Sequence, residues 1–208
     1  MIKTPNNRPV LEHFYVFEGL DGAGTTTQAQ LLVQTIHRDG HVVDLDREPT
    51  DGPVGLHIRD ILGHRGHADH HSLALLFAAD RRSHMYDPDR GVVARHQNGV
   101  RIVCDRYLPS SLAYQGVTCG LEQVIRFNGE LPVPQRLFFL DVPVSVCLDR
   151  LEGRNERELF ERETFLVETL SAYEAALEHM VAQGSTVYRI DGTQTVEEVH
   201  REVCRYLD

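Results

Sequence analysis

The chain has 208 residues with 21 Lys plus Arg against 31 Asp plus Glu, a formal charge of −10 that excludes a generic basic nucleic-acid coat. At 41% apolar and 25% charged residues it reads as ordinary globular protein, long enough for one domain with a full core. Twenty of the 21 basic residues are arginine and the only lysine is Lys3, so no internal position can use an ammonium group. Cys104, Cys119, Cys147 and Cys204 form no CxxC pair, which excludes a zinc knuckle or a dithiol motif and leaves free thiols in a reducing compartment. No apolar run reaches membrane-spanning length and the first residues lack a signal-peptide core, so a cytoplasmic protein is expected.

After a polar tail over 1–13, short β-branched or aromatic runs alternate with stretches of helical period, the pattern of βαβ units. Strands are predicted over 14–18, 42–46, 101–104, 137–141 and 186–190. Helices are predicted over 26–38, 55–62, 72–85, 89–96, 121–127, 145–151, 161–183 and 196–207. Several strands are apolar on consecutive residues and need cover on both sides. The expected fold is therefore α/β, a five-stranded, mostly parallel sheet with helices on both faces, with residues 14–208 as a single domain.

The first strand runs directly into Gly19-Leu20-Asp21-Gly22-Ala23-Gly24-Thr25-Thr26-Thr27, which opens a helix. Glycines at GxxxxG spacing let backbone N–H groups curl around a phosphate, and the helix N-terminus adds its positive end. Thr26 stands where a P-loop hydroxyl holds magnesium. The motif departs at one position, because the lysine that normally precedes the hydroxyl residue is Thr25. A tight strand-to-helix turn without a ligand would show the same glycines, whereas Gly19, Gly22 and Gly24 do not fit the dinucleotide fingerprint.

Four separated segments follow one another in order: FEGLDGAGTTTQ from Phe17 to Gln28, REP from Arg47 to Pro49, LLFAADR from Leu75 to Arg81, and DRYLPSSLAYQG from Asp105 to Gly116. In combination they resemble thymidylate kinase, the P-loop enzyme that phosphorylates dTMP with ATP. The resemblance implies ATP as donor on residues 19–27, Mg2+ near Thr26 and Asp105, dTMP as substrate, and a homodimer, with neither nucleic acid nor membrane as a partner. It further implies that Arg106 meets a phosphate, that Arg47 and Glu48 border the acceptor, that Phe77 stacks on thymine, and that Arg81 bonds its exocyclic oxygen. Asp21 would meet the deoxyribose 3′-hydroxyl and Tyr114 would lie under the sugar, with Ser110, Ser111 and Gln115 as polar lining around the base. From the residues alone, an Asp105–Arg106 ion pair and a core role for Phe77 remain open. After REP the chain reads Thr50-Asp51-Gly52 where many bacterial relatives have a Gly-Gly pair.

Residues 149–162, DRLEGRNERELFER, fall where this family keeps a mobile lid over ATP. Arg150, Arg154 and Arg157 are spaced i, i+4 and i+7, one helical stripe if Gly153 does not break it. At least one of them is expected to supply the charge that Thr25 cannot, so the catalytic set reads Asp21, Asp105, Arg106, Arg150, Arg154 and Arg157. A solvated helix laced by glutamates is the plain alternative. His64, His67, His70 and His71 read as a solvated connection, with a metal site as the sharper alternative. Rival functions are another nucleotide or deoxynucleoside kinase, or a nucleotide-binding protein that has lost catalysis at Thr25.

Overall fold

The structure is a computed structural model and describes residues 9–151 and 163–207. In chain order the elements are β1 (Val10–Gly19), α1 (Thr25–Arg38), β2 (Val43–Arg47), α2 (Pro53–Leu62), α3 (His70–Tyr86), α4 (Val92–Gln97) and β3 (Arg101–Asp105). There follow α5 (Leu108–Cys119), α6 (Leu121–Asn128), β4 (Val133–Asp141), α7 (Val144–Leu151), α8 (Glu163–Ala182), β5 (Thr186–Asp191) and α9 (Val196–Cys204). The strands form one sheet in the order β2-β3-β1-β4-β5. Every pairing is parallel, so the sheet expected as mostly parallel is parallel throughout among the described residues.

Side chains of a strand alternate between faces, yet Phe14, Tyr15, Val16 and Phe17 of β1 are all fully buried, so both faces of the central strand are covered. One group of helices pairs α1 with α9 against the sheet, and a second pairs α5 with α8 and with α6. The edge strand β2 is only half-buried, with Leu45 exposed and its aspartates Asp44 and Asp46 held by Arg95 of α4.

The sheet order positions the site. The chain builds β2 and β3 on one side of β1 and then crosses to β4 and β5 on the other, so its direction reverses around β1 at the edge where strands end. That edge carries the turn after β1, Arg47 and Glu48 at the end of β2, and Asp105 and Arg106 at the end of β3.

Several elements differ from expectation, among them β4, which begins at Val133 rather than Leu137, and α9, which ends at Cys204 rather than Leu207. β1 begins at Val10 rather than at Phe14, because its first residues pair with β4 across a register irregularity between Leu11 and Tyr15, where His13 has φ +56°. α5 has no counterpart among the predicted helices. Pro109 lies in the first turn, where a missing N–H costs nothing. α4 starts three residues later than predicted, behind the Asp87–Gly91 turn whose Asp87 side chain accepts from Asp89 N and Arg90 N. Of the four clustered histidines, His64 lies in the turn after α2 while His70 and His71 open α3, which Asp69 caps by accepting from His71 N and Ser72 N.

Candidate active site

The turn after β1 leaves backbone donors without internal acceptors. Gly24 caps α1 in the left-handed region at φ +100°, and no side chain accepts from the first helical turn. Gly22 has φ +89°, and a Cβ there would lie 2.6 Å from the carbonyl oxygen of Cys147, so only glycine lets the turn rest on α7. Thr25 is buried, and the Thr26 hydroxyl donates to Asp105 Oδ2 at 2.5 Å, joining the end of β3 to the start of α1. Asp105 Oδ1 is buried with no hydrogen-bond partner. A bare carboxylate oxygen beside a hydroxyl is a donor set that suits a hard dication, so Thr26 and Asp105 fit Mg2+.

Arg106 follows directly, with its backbone at φ +72°, a left-handed conformation uncommon for a non-glycine residue. Its Nη2 donates to Asp21 Oδ1 at 2.5 Å, and its Nη1 donates to Gly19 O, Ser110 Oγ and Tyr173 OH. Burial works against its charge, but Asp21 together with Tyr114, Tyr173 and Asp105 holds the guanidinium even more firmly protonated than usual. Its carbon lies 5.5 Å from the centre of the Tyr114 ring, whose hydroxyl accepts from Asp21 N at 3.1 Å. Behind Arg106 sits Glu18, a fully buried carboxyl with no bonded cation among the described residues, which burial pushes up to about 7.

Across the cleft, Arg81 is 1% exposed and its fork is largely engaged. Nε donates to Glu48 Oε2 at 2.7 Å, Nη1 to Asn128 Oδ1 at 2.5 Å, and Nη2 to Ser111 Oγ at 2.9 Å and Tyr107 O at 3.3 Å. Four of these contacts draw on a guanidinium with five N–H groups, which leaves one Nη1 hydrogen for a ligand. Gln115 is buried beside it with Oε1 unpartnered. Phe77 packs on the core from one side and lines the cleft on the other. One continuous cleft of about 720 Å³ runs from residues 21–28 past Asp105 and Arg106 to Phe77 and Gln115.

The model of the thymidylate kinase family matches residues 17–203. This chain belongs to the thymidylate kinase family. It is 40% identical over 193 residues to the "Putative thymidylate kinase" of Aeropyrum pernix, covering 90% of this chain and 91% of that protein. It is 34% identical over 201 residues to the protein of the same name from Treponema pallidum, covering 95% of this chain and 96% of the other. A "Probable thymidylate kinase" of Methanocaldococcus jannaschii is 37% identical over 196 residues, covering 93% and 95%.

In this member of the thymidylate kinase family the cleft gathers Asp21 through Thr27, Arg47, Glu48, Phe77, Arg81, Asp105, Arg106, Ser110, Ser111, Tyr114, Gln115 and Arg150. Gly19 and Leu20 lie beneath the turn instead, Leu20 within the core. Arg47 is exposed and paired with Asp51 at 2.5 Å. Ser110 and Ser111 face the arginines: Ser110 Oγ serves Arg106 and Glu18, and Ser111 Oγ serves Arg81. Arg150 Nη2 donates to Gly192 O at 2.9 Å and Nη1 reaches Gly22 O and Ala23 O at 3.4 Å, so its charge rests on the phosphate turn. Arg154 and Arg157 lie outside the described residues.

Sequence reasoning missed Glu18 and Tyr173, which hold Arg106 from behind, and Asn128, which holds Arg81. It also missed Gly192, Gln194 and Val196, which line the cleft after β5. The run Asp191-Gly192-Thr193-Gln194 follows the last strand, and the rule that ligands bind at strand ends would have found it. Among the described residues no helix is long and apolar enough to cross a membrane, and no three His, Cys, Asp or Glu side chains converge as a metal site.

Proposed function

We propose that this chain transfers the γ-phosphoryl group of ATP to dTMP, giving dTDP and ADP. The observation that supports the reading best is the continuity of the cleft, which runs from a phosphate turn to an aromatic plate with two buried amide and guanidinium groups beside it. The acceptor phosphate is already ionised, so the chain need only align two phosphates and offset their charge. Backbone N–H groups of the turn would hold the donor phosphates, and Arg106 and Arg47 the acceptor phosphate. Asp21 would take the 3′-hydroxyl, Tyr114 the space a ribose 2′-hydroxyl would fill, and Phe77, Arg81 and Gln115 the thymine. Thr26 and Asp105 would hold Mg2+, which supplies charge neutralisation at the phosphate oxygens when bound. Arg150, with Arg154 and Arg157, would stand in for the lysine absent at Thr25. The protein would act as a cytoplasmic homodimer of single-domain chains.

The test is a coupled assay of ADP release with dTMP, dUMP, UMP and thymidine. Turnover is expected with dTMP foremost. Preference for thymidine would make the chain a nucleoside kinase, and binding of dTMP and ATP without turnover would favour the reading that Thr25 has ended catalysis.

A further inference from the structure

One end of the cleft plays no part in the proposed hold on dTMP. It is lined by Leu140 and Gly192 near the ends of β4 and β5, by Leu151 of α7, and by Val196 and Val199 of α9. β4 and β5 lie across β1 from β2 and β3, so this end is on the other side of the phosphate turn from Arg47 and Glu48. Leu140, Leu151 and Val199 are buried, which gives it an apolar floor suited to the face of a flat heteroaromatic ring.

A polar side chain is buried beside that floor. Gln28 of α1 is 3% exposed and lines the same cleft. Its Nε2 donates to Val196 O at 3.0 Å. This bond fixes the amide, because turning it over would set the Gln28 carbonyl oxygen against the carbonyl oxygen of Val196 with no hydrogen between them. Oε1 is left buried, with no donor to it among the described residues. A buried acceptor that meets no donor destabilises the protein without ligand, and an N–H brought by a ligand removes that cost.

We infer that Gln28 selects the donor nucleotide: its Oε1 accepts from an exocyclic amino group on the base, as adenine carries, and disfavours a base with hydrogen or a carbonyl at that position. The inference deepens the proposed function, since it rests on the donor phosphates lying on the turn after β1. Turn, amide and apolar floor line one cleft, so a nucleotide with its phosphates on the first and its ring on the last meets the amide at the edge of the ring. Hydrogen in place of the amino group leaves Oε1 unmet, and a carbonyl there sets two acceptors face to face.

The test compares ATP with purine riboside triphosphate, which has hydrogen where adenine has its amino group. Dissociation constants are measured by calorimetry, with kcat/KM alongside. Wild type is expected to favour ATP by about tenfold, the worth of one hydrogen bond, and Gln28→Met to bind the two alike. Gln28→Glu keeps an acceptor at the same reach and is expected to keep the preference, which leaves the inference testable if the methionine variant does not fold. Equal affinities in wild type would overturn it. So would a preference that survives in Gln28→Met, since a merely structural role weakens both nucleotides together and leaves their ratio unchanged. Tighter binding of inosine triphosphate than of ATP would overturn it as well, by showing that a ring N–H and not the amino group meets Oε1. If ATP binds with the expected preference but dTMP is not phosphorylated, the proposed function fails and the assignment of Gln28 stands. If neither nucleotide binds, both fail.

Discussion

Among the described residues Arg150 meets three carbonyl oxygens, two of them on the turn proposed to hold the donor phosphates, which places its charge beside that turn. Arg150→Ala is therefore expected to lower kcat with dTMP by about ten- to a hundredfold, the worth of one charge-assisted hydrogen bond. Unchanged turnover when Arg150, Arg154 and Arg157 are all replaced by alanine would show that arginine does not replace the lysine. A large gain from Thr25→Lys would say the same from the other direction. At this scale the sequence reveals many of the residues that line the cleft but not which of their donors are already engaged. Arg81 reads as an open fork in LLFAADR, yet Ser111, Glu48 and Asn128 come from 30, 33 and 47 residues away to occupy it. Glu18 hides for a similar reason: within an apolar strand it looks like an exposed alternation, and only the fold shows that β1 has no exposed face at that point.

Between elements, β2 and α3 are tied by one imidazole. His84 Nδ1 lies 2.9 Å from Glu48 Oε1 and its Nε2 lies 2.8 Å from Asp46 Oδ2, so both ring nitrogens face carboxylates and both must carry hydrogen. Burial would lower its affinity for a proton, but the bonds and charges of Asp46 and Glu48 outweigh it and lift the group to about 9. Asp46 also receives Arg95 of α4, and Glu48 also receives Arg81 of α3, so a chain of alternating charge runs from the sheet edge to the base end of the cleft. A group raised on folding contributes its full stability below its ordinary value of 6.5 and loses it as pH climbs through about 9. The urea midpoint of wild type is thus expected to exceed that of His84→Gln at pH 7, with the gap closing by pH 10. An equal gap at both would mean that the imidazole serves as packing alone. The elements themselves were largely legible, because strand and helix periods differ and the glycines mark the first turn. α5 was not, since its prolyl and seryl residues signal a turn unless one knows that they fall in the first helical turn.

For the molecule as a whole, the order β2-β3-β1-β4-β5 explains why motifs scattered from Phe17 to Gly116 share one cleft: three of the four lie at the ends of β1, β2 and β3, which meet at one edge, and the fourth lies on α3, which packs on α2 and α5. That convergence could be anticipated from the βαβ pattern, whereas the partner surface could not, because exposed apolar residues such as Leu56 and Leu75 carry no period that names their occupant. Sedimentation equilibrium is expected to return twice the 23.6 kDa chain mass, and a monomer at micromolar concentration would end the expectation of a homodimer. The parallel sheet has a second consequence, for how the protein can be watched. The candidate cleft opens where strands end, so the loops by which the chain enters them form a bystander rim. At Gly40 and Gly99 an added Cβ would meet nothing within 4 Å. A fluorophore beside either loop would report unfolding, crowding or passage through a chaperone while the reacting edge, a full strand length away, continued undisturbed.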